Sequence, residues 1–362
     1  MPTRHADVLV VGQGLAGTQI ALTLLQRGLR VLVADPGHQQ AASRVAAGVL
    51  NPVTGQRLVL TWQAHLHLPF AKQTYRTLER LLQTTFLREM PIRRLIRSEA
   101  ELTRWHQRQT DPAYASFLGP YQPPGSLPHQ RDTPFGSCAI LGAAVLDTPH
   151  FLTATRQWLQ TEGLLHQTHV TPRDLRLHHG LVTWRGLRFD RIVFCQGWGA
   201  RNNPWFSHLP FQWAKGEILG LHLPDHGLNE ILNREKWILP ENPNQLRVGS
   251  TFQWNPIDHH LTPAAKRELL RATTTILRLS SPPNVLTHQV GIRPCSHDTR
   301  PYLGPSPHDP RLWIANGFGA KGALTTPLCA ARLADALTET GSLHPDEHIS
   351  RCTPPSGTPP VP

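Results

Sequence analysis

Four residues near the N-terminus have types and spacing that could hold a phosphorylated cofactor: Gly12, Gly14, Gly17 and Asp35. The glycines follow G-x-G-x-x-G. The first permits a tight turn, the second lets a pyrophosphate approach the backbone, and the third lets helix and strand pack closely. Leu15 and Ala16, between the second and third, join the same cofactor-binding set. Asp35 ends an apolar run, where a carboxylate can accept hydrogen bonds from a ribose 2′-OH and would repel a 2′-phosphate. Strand, glycines, helix, strand and terminal acid in this order make a dinucleotide-binding unit, which the glycines alone would not.

The elements that must position these residues follow from pattern. Asp7 to Val11 is short and apolar, as a strand buried on both faces should be. Thr18 to Arg27 puts Ile20, Leu24 and Leu25 on one helical stripe, and Gly28 ends it. A second apolar strand runs to Asp35. Ser43 to Pro52 is rich in small residues that let backbone approach a flat ring. His65 to Phe86 reads as a long helix and Arg88 to Arg97 as a strand. Asp111 to Phe135, with many prolines and glycines, reads as mainly loop. Asp147-Thr148-Pro149 opens a helix that Gly163 stops. A strand around Leu165 to Val170, a hairpin about His178-His179-Gly180, and a buried strand ending in Cys195-Gln196-Gly197 follow. A second excursion, about Phe211 to Leu286, carries strands at Lys215 to Leu223, Lys236 to Leu239 and Leu246 to Phe252, then a helix from Thr262. The chain returns through Gly291 to Pro294, the strand Leu312 to Ala315, the glycine-rich Asn316 to Gly322 and a helix over Thr326 to Leu337.

The fold class expected is α/β: a Rossmann-like nucleotide-binding domain with an inserted α+β substrate domain on a mixed or antiparallel sheet. The first domain takes residues 1–86, 147–210 and 287–340, and the second takes 87–146 and 211–286. Residues 341–362, rich in Pro, Ser, Thr and Gly, are expected to be disordered.

At 362 residues, 39% hydrophobic and 17% charged, the chain suits a globular protein with a large core. Met1 to His5 lacks a signal-peptide pattern and the first apolar stretch is too short to span a bilayer, so a cytoplasmic location is expected. Five dispersed cysteines read as free thiols in a reducing compartment. The net charge of +11 is compatible with an RNA partner, but arginine enrichment without a long basic run also accounts for it. The 21 histidines form no H-E-x-x-H and flank no cysteine pair, so no metal is expected.

Four separated pieces resemble the FAD-dependent amine oxidases of the D-amino-acid-oxidase and glycine-oxidase (DAO) type. They are the fingerprint ending at Asp35, the Ser43-to-Gly48 loop, Cys195-Gln196-Gly197-Trp198, and Gly291-Ile292-Arg293-Pro294 with Asp298, Pro301, Leu303 and Gly304. Gly319-Ala320-Lys321-Gly322 resembles the oxidase domain of the bifunctional enzyme that trims carboxymethylaminomethyl groups on tRNA wobble uridine. This chain has lysine where arginine is usual there, and no counterpart of that enzyme's methyltransferase domain is expected in it.

The resemblance implies non-covalent FAD and hydride transfer from a carbon beside an amine to flavin N5, giving an imine that water hydrolyses. It implies Arg293 as the grip on a substrate carboxylate, with a structural ion pair as the alternative. Lys321 would stabilise negative charge on the reduced ring, or stand as a solvated loop lysine. Ser43, Arg44 and Ala47 would meet the pyrophosphate or ring, and Gly48 and Val49 would lie beside N5. Val170 would flank the adenine or pack in the core. Gly197, Trp198, Gly317, Gly319, Ala320 and Gly322 complete the cofactor set. Three functions follow: an oxidase of a small-molecule amine or amino acid, a flavin-dependent tRNA-modifying oxidase, and a non-catalytic flavoprotein. Oligomeric state is not legible.

Overall fold

The computed structural model describes residues 5–127, 133–178 and 180–352. Two eight-stranded sheets dominate it. The first is built around His5–Val11, which pairs in parallel with Val31–Ala34 and with Leu187–Phe194. Leu165–His166 extends one side. Leu187–Phe194 has two further neighbours: its start pairs antiparallel with Leu181–Trp184, and its end pairs parallel with Leu312–Asn316. Buried apolar residues on both faces of these strands, Val8, Val10 and Val33 on one and Leu9 and Val11 on the other, explain the near-continuous hydrophobic runs. The helices Leu15–Gln26 and Gly322–Leu337 cover one face.

The second sheet runs in the order Asn284–Ser296, Phe211–His222, Gln245–Gly249, Trp237–Asn242, Ile231–Asn233, Ile92–Leu95, Ser137–Ile140 and Leu118–Gln122. It is antiparallel except where Ile231–Asn233 meets Ile92–Leu95. The expected α/β architecture, with a mixed second sheet, is what the chain forms.

Several expectations need correcting. Gly291 to Pro294 was expected in the nucleotide-binding part. Asn284–Ser296 is instead hydrogen-bonded along its length to Phe211–His222, so the second sheet presents Arg293. The single strand expected over Arg88 to Arg97 is two, Leu87–Glu89 and Ile92–Leu95, because Pro91 lacks an N–H to continue the ladder. Glu99–Gln109 is a helix that the sparse apolar pattern concealed. Leu118–Gln122 is a strand inside the expected loop.

The C-terminal segment is ordered as far as Cys352. Glu347 is fully buried, and its carbonyl accepts from Leu303 N at 2.9 Å. Its carboxylate accepts from Arg332 at 2.8 Å and from the Cys329 thiol at 3.2 Å. Burial pushes that thiol well up and lowers the neighbouring His67 to about 3, so both stay neutral. A few anchoring side chains outweigh the disorder-prone composition around Gly341. Residues 353–362 and His179 lie outside the described residues.

Candidate active site

The glycine fingerprint is held by backbone contact. At Gly12 (φ +102°) a Cβ would stand 2.5 Å from Cys195 O, and at Gly17 it would stand 1.8 Å from Gly12 O. Strand, turn and helix therefore approach to distances that no side chain permits. Gly14 differs: a Cβ there would meet only Ser43 Oγ, at an ordinary 3.5 Å. Packing does not demand that glycine, and its absent side chain leaves the mouth of helix Leu15–Gln26 open. The helix has no acidic residue in its first turn, and its N-cap residue Gly14 has no side chain to cap it. Open N–H groups at the positive end of a dipole suit a pyrophosphate. The Leu15 amide donates to Ser43 Oγ at 3.1 Å, tying the second expected piece to the first.

Asp35 is 7% exposed and already engaged. One carboxylate oxygen accepts from Gln13 N at 2.8 Å; the other accepts from Gly37 N at 2.8 Å and Arg156 Nη1 at 2.9 Å. A carboxylate has about four acceptor positions, so one remains for a ribose hydroxyl. Arg156 escaped the sequence reading. Its signal was an arginine among Phe151, Leu152, Thr155 and Leu159 on the buried face of Thr148–Thr161, a place that demands an anion. Arg44 turns toward Thr153 Oγ1 (2.9 Å) and His38 (3.0 Å). Burial, with Arg156 and Arg44 beside it, lowers the His38 pKa and keeps that ring neutral.

The other expected cofactor residues fall into two groups. Gly48 (φ +70°) is required by backbone: a Cβ would lie 1.8 Å from Leu146 O. Val49 pairs with Val145, and Ala47 precedes that turn. Val170 packs in the core with Leu9, Val11 and Trp184. Gly197 O accepts from Asn316 Nδ2 at 2.9 Å, joining the ends of two parallel strands. Trp198 is taken by other partners, Trp213 edge-on at 5.0 Å and Arg201 over its ring at 3.8 Å. Gly317 packs on Tyr302, Gly319 on Cys295 and Gly322 on Leu15. Gly319, Ala320 and Lys321 form one 3₁₀ turn.

Asn284–Ser296 ties these pieces together. Gly291 packs against Ala42 and Val45, and Cys295 bridges to Phe318. Arg293 lies between them, on the same strand face as both by the two-residue alternation. Its guanidinium lies over Gly216, where a Cβ would be 2.1 Å from Nη2. Nη2 donates to Ser250 Oγ at 2.8 Å. The Phe252 ring covers it at 4.4 Å. Nη1 is sealed from solvent and has no hydrogen-bond partner among the described residues. No carboxylate pairs with Arg293 among the described residues. Burial lowers its pKa and raises that of Cys295, so the nearby thiol does not supply the missing anion. Burial and the Arg300 charge lower the pKa of Lys321. Gly216, Ser250 and Phe252 carried no sequence signal.

The family model described as "FAD dependent oxidoreductase" (DAO) matches residues 7–336. Glycine oxidase of Pseudomonas aeruginosa is 27% identical over 356 residues, covering 91% of this chain and 94% of that protein. The tRNA 5-methylaminomethyl-2-thiouridine biosynthesis bifunctional protein MnmC of Chromohalobacter salexigens is 24% identical over 401 residues, covering 93% of this chain and 54% of that protein. The chain thus spans nearly all of the first relative and about half of the second. The crystal structure of glycine oxidase from Geobacillus kaustophilus superposes with a TM-score of 0.81 at 22% identity, over 99% of this chain and 100% of that one. The open helix mouth beside Ser43, the acid at Asp35 and the family match agree, and the chain belongs to the DAO family of FAD-dependent oxidoreductases.

Proposed function

We propose that the protein oxidises the C–N bond of a small carboxylated amine, with Arg293 holding the carboxylate. The observation that carries this is a half-buried guanidinium whose sealed Nη1 has no partner, and which meets no carboxylate, among the described residues. A desolvated cation without an anion is costly. A substrate carboxylate would remove that cost and could engage the guanidinium in two parallel bonds. FAD, when bound, supplies the hydride acceptor. Ser250 steadies Nη2, Gly216 leaves space beneath the guanidinium, and Phe252 shields it from water. Lys321 is assigned the role of a cation beside the cofactor ring. No side-chain base is required if the amine binds neutral.

The glycine oxidase relatives favour glycine-like substrates. The basic balance and the MnmC relative favour a second reading, in which the amine is a carboxymethylaminomethyl group on tRNA. No described helix is long and apolar enough to cross a membrane. All five cysteines are unpaired, which favours a cytoplasmic location.

The test is anaerobic bleaching of the purified flavoprotein by N-substituted glycines, D-amino acids and tRNA. Bleaching by carboxylated amines supports the first reading. Bleaching only by tRNA, with affinity falling steeply as salt rises, supports the second. Bleaching by none would leave a flavoprotein without amine oxidase activity.

A further inference from the structure

We propose that the loop Ser250 to Leu261 is a stacking shelf beside Arg293, and that the preferred substrate is an N-substituted glycine whose substituent carries a flat unsaturated ring. This rests on Arg293 holding the carboxylate.

Phe252 and Trp254 are 54% and 56% exposed, the two most exposed large apolar residues described. Their centroids are 6.4 Å apart and their planes 43° from each other. Two such rings in water forgo the free energy that burial would release. A loose loop would explain them, but this loop is clamped. Lys215, 1% exposed, donates from Nζ to Asp258 at 2.6 Å. Lys215 and Gln253 exchange two backbone hydrogen bonds of 2.9 Å. Glu217 N donates to Thr251 Oγ1, and the Glu217 carboxylate accepts from both N and Oγ1 of Thr262. A buried ammonium needs its counter-charge, so Asp258 fixes the loop to the sheet while the two rings stay outside it.

The shelf begins at the proposed carboxylate grip. Phe252 covers the Arg293 guanidinium. Trp254, with Gln212, Trp213 and Ile257, lines an open cleft of about 440 Å³, a volume within the range of small-ligand sites. Trp213 in turn meets Trp198. A carboxylate on Arg293 and a flat ring on Trp254 would place the amine between them. Glycine or sarcosine would leave the shelf unused.

The experiment compares sarcosine with N-benzylglycine on the FAD-loaded protein, by turnover and by calorimetric binding. We expect N-benzylglycine to bind the more tightly. Trp254→Ala should raise its KM and Kd about three- to tenfold, the range for one aromatic pair, and leave sarcosine unchanged. Trp254→Phe should restore most of the difference. Equal losses for both substrates, or tighter binding of sarcosine, would overturn the shelf while leaving the amine oxidase reading intact. If neither compound reduces the flavin, the N-substituted glycine assignment is overturned, while bleaching by D-amino acids still tests the amine oxidase reading. Calorimetry then still decides the shelf: ring-dependent binding lost in Trp254→Ala supports it, and no such binding overturns it.

Discussion

Arg156 and Arg293 are two guanidinium groups in enclosed surroundings, and they are treated in opposite ways. Arg156 comes from a helix face, meets Asp35 at 2.9 Å, and also donates to Gln13 Oε1 at 2.9 Å. Arg293 comes from a strand, meets one hydroxyl and one aromatic ring, and has no carboxylate partner among the described residues. The first belongs to a network the protein completes by itself. The second has an Nη1 without a hydrogen-bond partner among the described residues, which the proposed function fills with a substrate carboxylate. Burial alone therefore does not separate a structural charge from a binding one; the identity of the partner does.

The largest effect is expected at Arg156. Arg156→Met leaves the Asp35 carboxylate without its cation, and breaking a buried pair in this way costs about 3 kcal/mol. A melting experiment should show that loss, with lower FAD content. An unchanged Tm would mean that the pair contributes little, and the contrast with Arg293 would collapse.

Arg293→Met should do the reverse. It strands no carboxylate, so Tm and FAD content should stay near wild type. Loss of a charge-assisted grip of about 1.5–3 kcal/mol should cut kcat/KM for carboxylated amines by about ten- to 150-fold. Arg293→Lys should recover only part, because ammonium lacks the planar fork. Unfolding or flavin loss in Arg293→Met would make the residue structural after all.

Gly216→Ala sharpens the comparison without touching a charge. Its Cβ would lie 2.1 Å from Nη2, so the guanidinium must shift. A displaced grip should raise KM by about tenfold, with melting unaffected. Normal kinetics would show that the position of the guanidinium over Gly216 is immaterial.

The smallest effect is expected at a third pair, Arg351 and Asp298, which fastens the C-terminal segment at 2.8 Å. Burial pushes the Asp298 carboxyl up, but Arg351 and the Arg300 amide outweigh it and hold the pKa down to about 2, against 3.8 when free. The unfolded chain therefore binds more protons in this window. The contribution is complete above about pH 4 and is lost as pH falls toward 2. Limited proteolysis should release the C-terminal segment across that range. Release that does not depend on pH would mean that the pair does not hold it.

Much of the cofactor end was legible because its determinants are contiguous. Gly12, Gly14 and Gly17 act within one turn, the flanking strands alternate and the helix has its stripe. These are local periods that survive without knowledge of the fold. The small residues at Ser43 to Gly48 and the cap at Asp147 were legible for the same reason. The helix Glu99–Gln109 was missed although Ser98 and Glu101 give its start, and Ser98 Oγ does accept from Glu101 N at 3.2 Å. Its stripe buries only Glu101 and Trp105, too little for periodicity to register.

By itself, the amino-acid order determined the dinucleotide unit, the α/β class and the arginine in Gly291-Ile292-Arg293-Pro294 as a candidate. Tertiary structure alone decided what that arginine lacks. Gly216, Ser250 and Phe252 reach it from distant stretches of chain, and the absence of a carboxylate partner among the described residues is a property of their assembly. It decided likewise that Asp35 is shared with Arg156, and that the segment to Cys352 is held in place. A partner's presence or absence depends on distances of a few ångströms between remote residues, and local pattern carries no record of those.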